Sequence, residues 1–126
     1  MKKIKKNTIF ALSTPIGTSA IAVTRVSGSE CRRIASKLCG KSNLSSRHAY
    51  FTVIKDFDGN MIDTGVLIYF KSPNSFTGED CLEIHTHGSI IVIDTLLSTL
   101  SKFKFTRSAM PGEFSKRGYQ NKKQNL

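Results

Sequence analysis

The chain's first pattern is TIFALST at residues 8–14, a short run of apolar and β-branched positions halted by Pro15, Ile16 and Gly17. It predicts a strand ended by a turn, since proline and glycine interrupt regular pairing. Residues 19–26, SAIAVTRV, are rich in small and β-branched positions and predict a second strand. Ser27-Gly28-Ser29-Glu30 then reads as a helix start, with Ser or Gly as the cap before CRRIASKLC and Gly40 as the stop. At 3.6 residues per turn, Cys31, Ile34, Ala35 and Leu38 share a face while Arg32, Arg33 and Lys37 point outward.

Residues 48–56 and 61–70 are two further strands flanking Phe57-Asp58-Gly59-Asn60. Asp-Gly between such runs predicts an antiparallel hairpin with a type I′ turn, which needs positive φ at both central positions. KSPNSFTG at 71–78 is a polar loop. Residues 80–86 alternate as a strand does, with Cys81, Glu83 and His85 on one face and Leu82, Ile84 and Thr86 on the other. His87-Gly88-Ser89 leads into a helix over 90–102 with a stripe of Ile90, Ile93, Leu97 and Leu100. Residues 103–109 read as a strand or extended piece, and Pro111-Gly112-Glu113 opens a last short helix ending near Asn121. The order β-β-α-β-β-β-α-β-α, without internal repeats, predicts one α/β (α+β) domain: a mixed sheet with helices packed on it.

Charge changes the picture next. Nineteen Lys and Arg against nine Asp and Glu give a net charge of +10, which steers the domain toward anions. Eight of those cations lie in two terminal clusters, Lys2, Lys3, Lys5 and Lys6, and Lys116, Arg117, Lys122 and Lys123. Residues 1–6 therefore read as a basic flexible tail, and interior segments are mixed in sign. Cys31, Cys39 and Cys81 have no paired spacing, which suits reduced thiols in a cytoplasm. The apolar run Ile9–Leu12 is too short for a secretory signal, and no stretch approaches the ~18–20 apolar residues of a membrane span. The expected location is cytoplasmic.

Candidate chemistry is sparse. His85 and His87 share a strand face, but a metal needs further ligands and neither His48 nor the cysteines supply a spacing, so an ordering role is expected and no metal site. No G-x-x-x-x-G-K-[ST] loop occurs, so the chain alone is not a P-loop GTPase, and no G-x-S-x-G elbow marks a nucleophile. No catalytic residue is assigned. Two unusual segments remain, NSFTGEDCLE at 74–83 and AMPGEFSKR at 109–117. Glu83 is either a solvated strand residue or an inward carboxylate awaiting a planar pair of donors, and burying it unpaired costs several kcal/mol. Arg25 is either a surface cation or an anchor for a carboxylate or carbonyl.

TIFALSTPIGTSAIAVTRVSG at 8–28, PNSFTGEDCLEIHTHGS at 73–89 and MPGEFSKRGYQN at 110–121 together resemble the N-terminal domain of the tRNA modification GTPase family MnmE (TrmE). The resemblance covers residues 7–126. It implies a fold like that of the folate-binding aminomethyltransferases, a homodimer, and 5-formyl-tetrahydrofolate or a related reduced folate bound at or near the dimer interface. In that family a helical domain with an inserted GTPase domain follows, and GTP, Mg and K belong to it. This sequence stops where the helical domain is expected to begin, so the chain is not expected to be catalytic alone. The resemblance further implies partnership with MnmG (GidA) and tRNA, adding a carboxymethylaminomethyl or aminomethyl group to carbon 5 of the wobble uridine, and no membrane. Its folate contacts fall on Arg25, Glu83 and Lys123. Where the family reads N-G-K-L-D-L, this chain has Asn121-Lys122-Lys123-Gln124-Asn125-Leu126, so Lys122 is open as the alternative to Lys123. Thr18-Ser19 likewise depart from the family pattern after the first turn. A free-standing folate-dependent one-carbon transferase and a small basic tRNA-binding domain are the competing readings.

Overall fold

Alternation of apolar and polar residues sorts most of the chain into strands of one sheet. A computed structural model describes residues 6–14 and 20–124, without the side chains of residues 123 and 124. The expected Pro15-Ile16-Gly17 turn and nearly all of the basic tail lie outside the described residues. In chain order the strands are β1 (Thr8–Leu12), β2 (Ile21–Ser27), β3 (Ala49–Lys55), β4 (Met61–Phe70), β5 (Cys81–His87) and β6 (Thr106–Ser108). The helices are α1 (Cys31–Cys39), α2 (Ile90–Ser101) and α3 (Glu113–Gln124). The sheet runs β3-β4-β5-β2-β1-β6; β1 and β6 are parallel and every other neighbouring pair is antiparallel. The element order and the mixed α/β architecture are those the sequence predicts.

One sheet face carries the core. Register lines up Phe10, Val26, Leu82 and Tyr69 in one row and Thr24, Ile84 and Leu67 in the next. Against them pack Cys31, Ile34, Ala35 and Leu38 of α1 with Leu96 and Leu100 of α2. Ile34, Leu38, Leu67, Leu82, Ile84 and Leu96 are fully buried, and each such side chain contributes about 1.5–3 kcal/mol relative to exposure. Residues of the other parity face the opposite way: Val23 and Arg25 from β2, Glu83 and His85 from β5, Val66 and Ile68 from β4. On that side neither α1 nor α2 covers the sheet, and among the described residues the 71–80 loop, with α3 docked on it, closes over one end.

Local departures from the sequence pattern have specific causes. The β3–β4 hairpin forms, but its turn is not type I′: Gly59 has φ 86° and Asp58 does not share a positive φ. Instead Asp56 Oδ1 accepts hydrogen bonds from the Asp58 and Asn60 amides, each at 2.9 Å, and shapes a longer loop. The cap of α1 is Glu30 rather than a Ser or Gly of the Ser27-Gly28-Ser29 run, and it makes no side-chain cap hydrogen bond. Ser27 ends β2, where its hydroxyl is engaged by Thr77 and Glu79. In α2 the buried stripe is Ile93, Leu96, Thr99 and Leu100, while Ile90 is 58% exposed. IIVIDTLLSTL is apolar almost all round, so its periodicity does not choose a face and packing does. Of the expected strand or extended piece over 103–109, β6 takes 106–108, with the Phe105 carbonyl and Ala109 amide also bonded to β1, while Phe103 turns into the core and Phe105 has φ 59°.

Gly28 permits the β2–α1 connection. It has φ 140°, its amide donates to the Asp80 carbonyl at 2.8 Å, and a Cβ there would stand 2.7 Å from Thr8 Cα. Gly40, the left-handed cap of α1, has open space around the same position. Gly28→Ala should therefore lose ~3 kcal/mol or more, combining backbone strain with a clash, against about 1–2 kcal/mol for Gly40→Ala. Urea denaturation of the two variants checks the order; equal losses would contradict it.

Candidate functional site

The centre of the open sheet face is set by the β2–β5 ladder. Arg25 lies directly opposite Glu83, and Glu83 directly opposite Ile68 of β4. The Arg25 guanidinium Nη2 is 3.7 Å from Glu83 Oε2, an ion pair looser than a hydrogen bond. The other oxygen, Oε1, is 3.1 Å from His85 Nε2, a contact made possible because residues two apart on a strand point the same way. All three side chains are half-buried, with 31%, 24% and 29% exposure for Arg25, Glu83 and His85. The carboxylate is thus neither sunk in the core nor freely solvated.

The 71–80 loop brings an aromatic wall. Phe76 stands 5.2 Å from the Arg25 guanidinium carbon, within cation–π range. Arg25, Phe70, Phe76, Cys81 and Glu83 line a recess of about 70 Å³. Beside it, toward the far end of the face, Ile21, Phe51, Val66, His85 and His87 line a broader, mostly apolar concavity of about 380 Å³.

Loop and helix α3 are pinned together by a polar clamp. Arg117 is 4% exposed and donates to Glu79 Oε1 at 3.0 Å, to the Asn7 carbonyl at 2.7 Å and to Glu113 Oε2 at 3.2 Å. Glu79 also accepts from the Ser27 hydroxyl at 2.8 Å. Gly118 lets α3 approach the Phe76 carbonyl, since a Cβ would come within 2.7 Å of that oxygen. Asn121 Nδ2 donates to the Thr77 carbonyl. The segments NSFTGED and PGEFSKR are therefore two halves of one joint that holds Phe76 above Arg25.

Arg25 and Glu83 are brought together as opposed neighbours. Lys123 belongs to the last turn of α3, the helix docked on this loop, but its side chain lies outside the described residues; the neighbouring Lys122 is exposed. Sequence reasoning missed Phe76, whose signal was a lone aromatic in a polar run, and it missed the Arg117–Glu79 pair, which no spacing reveals. It placed His85 and His87 on one face, and their partners are carboxylates: Glu83 for His85, and Asp63 for His87 at 3.0 Å. Among the described residues no group of three His, Cys, Asp or Glu is placed to hold a metal ion. Burial raises the Asp63 carboxyl, but hydrogen bonds from the His87 amide and ring outweigh it and hold the group below its ordinary value. Burial pushes the Cys39 thiol up to about 11 and the Cys31 thiol well above its ordinary value, so neither is an activated nucleophile.

This geometry defines an α/β domain with a half-buried acid–base pair on a sheet face that its two packed core helices leave open. Its residues 8–123 match the family described as GTP-binding protein TrmE N-terminus. Among similar proteins are the tRNA modification GTPases MnmE of Histophilus somni (strain 129Pt), 43% identical over 98% of this chain, and of Pseudothermotoga lettingae, 46% identical over 95%. That of Ehrlichia chaffeensis is 46% identical over 94%. The chain belongs to the TrmE N-terminal domain family. It spans only 27% of the length of each of these three relatives. No helix among the described residues is long and apolar enough to cross a membrane.

The clamp carries a pH signature. Glu113 accepts two hydrogen bonds from Arg107, at 2.7 and 2.8 Å. Those bonds, helped by the Met110 amide and by Arg117, overcome burial and hold its carboxyl at about 2 against an ordinary 4.5. A carboxyl lowered on folding stabilises the native state above its unfolded value, and that contribution disappears as pH falls toward the folded one. Glu113→Gln should therefore be less stable at neutral pH and lose less stability across the window from 4.5 to about 2. Urea midpoints on either side of that window test it; parallel pH profiles for the two proteins would refute the assignment.

Proposed function

We propose that this chain is the reduced-folate-binding and homodimerising domain of a tRNA modification GTPase. In the whole protein, cytoplasmic in this reading, other domains would hydrolyse GTP with Mg and K, and MnmG (GidA) would act as the partner. Together they would add a carboxymethylaminomethyl or aminomethyl group to carbon 5 of the tRNA wobble uridine. Membership of the TrmE N-terminal family supports this context, because the relatives are tRNA modification GTPases.

The observation that carries the folate reading is the Arg25–Glu83 pair beneath Phe76. A carboxylate offers about four lone-pair positions, and a pterin edge presents a ring N–H and an exocyclic amine side by side, so Glu83 suits two parallel hydrogen bonds. Arg25 donates from a rigid fork and suits a carbonyl, and Phe76 shields the pair on one side. Lys122 or Lys123, at the end of the helix packed on the same loop, suits the glutamate-tail carboxylates. When bound, the folate supplies the one-carbon unit; the residues of this chain bind and orient it.

The size of the recess supports the dimer. Ligand sites usually enclose ~300–1,000 Å³, and the recess between Arg25 and Glu83 holds about 70 Å³. A folate anchored there would extend onto the neighbouring concavity of about 380 Å³, whose rim residue Phe51 is 77% exposed, and a second copy of the chain would supply the missing wall. Ile21, 57% exposed, and Val53, 41%, also lie in strands of this sheet, and that copy would bury all three.

Calorimetric titration with 5-formyl-tetrahydrofolate tests the reading. Saturable binding is expected, weakened about tenfold to a hundredfold or more in Glu83→Ala, as loss of charge-assisted hydrogen bonds implies. Binding that is unchanged in Glu83→Ala and Arg25→Ala, or no binding by the intact chain, would overturn it. Sedimentation should report a dimer that Phe51→Asp weakens.

A further inference from the structure

Two sets of cations stand out among the described residues, and the second has no part in the site above. Arg25, Arg107 and Arg117 answer carboxylates on the sheet face and at the α3 joint. Arg32, Arg33 and Lys37 lie on the outer side of α1, exposed, with Lys41 one step beyond the Gly40 cap. Arg33 and Lys37 are one helical step apart, ~6 Å along the surface of α1, while Lys37 lies over the Phe57 ring and Lys41, past the helix end, over that of Tyr50.

Helix electrostatics does not explain this row. A helix N-terminus carries partial positive charge and favours acids, yet the first turn of α1 contains Arg32 and Arg33 and no acid. Glu30 answers Arg33 in part, at 3.7 Å. Lys37, in the last turn, suits the helix dipole; the two arginines work against it. Arg33, 69% exposed, opposes that preference with a loose ion pair in return, which points to a role outside the fold. Arg32 is held in place, its Nε donating to the Tyr69 hydroxyl at 3.2 Å with the guanidinium over that ring. It forms one wall of a polar concavity of about 260 Å³ completed by Ser42, Asn43, Leu44 and Ser45.

We propose that this α1 face binds the phosphate backbone of RNA. The inference rests on membership of a family of tRNA modification proteins, and it places the contact on the far side of the sheet from Arg25 and Glu83. Guanidinium and ammonium groups in a row, beside serine hydroxyls and an asparagine amide, are the donors that phosphate oxygens take up. The solvent-facing residues of α1 are Arg32, Arg33, Ser36 and Lys37, with no apolar side chain to enter a bilayer, which favours a polyanion over a membrane surface.

The test is binding of a short RNA stem-loop to the full chain, followed by anisotropy over a range of salt. Arg33→Ala/Lys37→Ala should weaken binding about tenfold or more at low salt and lower the slope of log affinity against log salt by about two, one for each phosphate no longer neutralised. Lys6→Ala/Lys116→Ala removes equal charge on the α3 side and should change the slope by less than half as much. Equal effects from the two pairs, an unchanged slope in the α1 pair, or α1-dependent binding to phosphatidylserine vesicles in place of RNA would overturn the proposal. Titration of the α1 variant with 5-formyl-tetrahydrofolate should match the parent, so failure here and failure of the folate reading are told apart.

Discussion

The register between β2 and β5 is the constraint on which the molecule depends. Seven residue pairs run from Ile21 opposite His87 to Ser27 opposite Cys81. They send Ala22, Thr24 and Val26 with Leu82, Ile84 and Thr86 to the helices, and Val23 and Arg25 with Glu83 and His85 to the open face. A slip of one residue would exchange the sets and drive Arg25 and Glu83 under α1 and α2, where a charge without partners costs several kcal/mol. Both ends of the ladder are tied against such a slip. The Gly28 amide donates to the Asp80 carbonyl at one end, and the Gly88 amide donates to the Ala20 carbonyl at the other, at 2.8 and 2.9 Å.

A polar joint then decides what stands over that ladder. Arg117 links the chain just before β1, the 71–80 loop and α3, three segments far apart in sequence. A buried guanidinium is a weak source of stability, because desolvation offsets much of the attraction, but removing one partner leaves a charge stranded at a cost of about 3–5 kcal/mol. The joint therefore acts mainly by excluding other placements of the loop. Through it, a helix near the end of the described chain fixes the height of Phe76 above Arg25.

Much of this architecture was legible in the sequence, where period and punctuation agree. The face of α1 was readable because CRRIASKLC separates apolar from basic positions cleanly, and β5 because Cys81-Leu82-Glu83-Ile84-His85 alternates. The phase of α2 was not readable, since its residues are apolar on nearly every side. The hairpin was readable from Asp-Gly but its turn was not, because the Asp56 carboxylate, one residue outside the turn signal, captures two amides. At the site, Glu83 stood out as an acid in an apolar strand, yet the residues alone left it equally a solvated surface group. Its position opposite Arg25 depends on pairing between strands more than fifty residues apart in the chain, which no local pattern encodes. The loop that carries Phe76 and the helix that carries Lys123 were visible as unusual segments, whereas their contact was not.

The state of Glu83 follows from these constraints taken together. Its described partners, Arg25 at 3.7 Å and the His85 ring at 3.1 Å, engage one oxygen each and leave acceptor capacity on both. In bulk water such capacity is met by solvent at little cost. On this face Phe76, Phe70 and the flanking strands reduce access, so the remaining positions are only partly hydrated. A flat donor-bearing ring that slid into the recess would offer directed hydrogen bonds to those positions, and stacking beside Phe76 would add apolar burial. A strand residue with the same charge but without the aromatic cover would gain far less, because full hydration would compete with the ligand. In the proposed folate reading, the loop and its α3 joint are thus what would set Glu83 apart from an ordinary surface carboxylate.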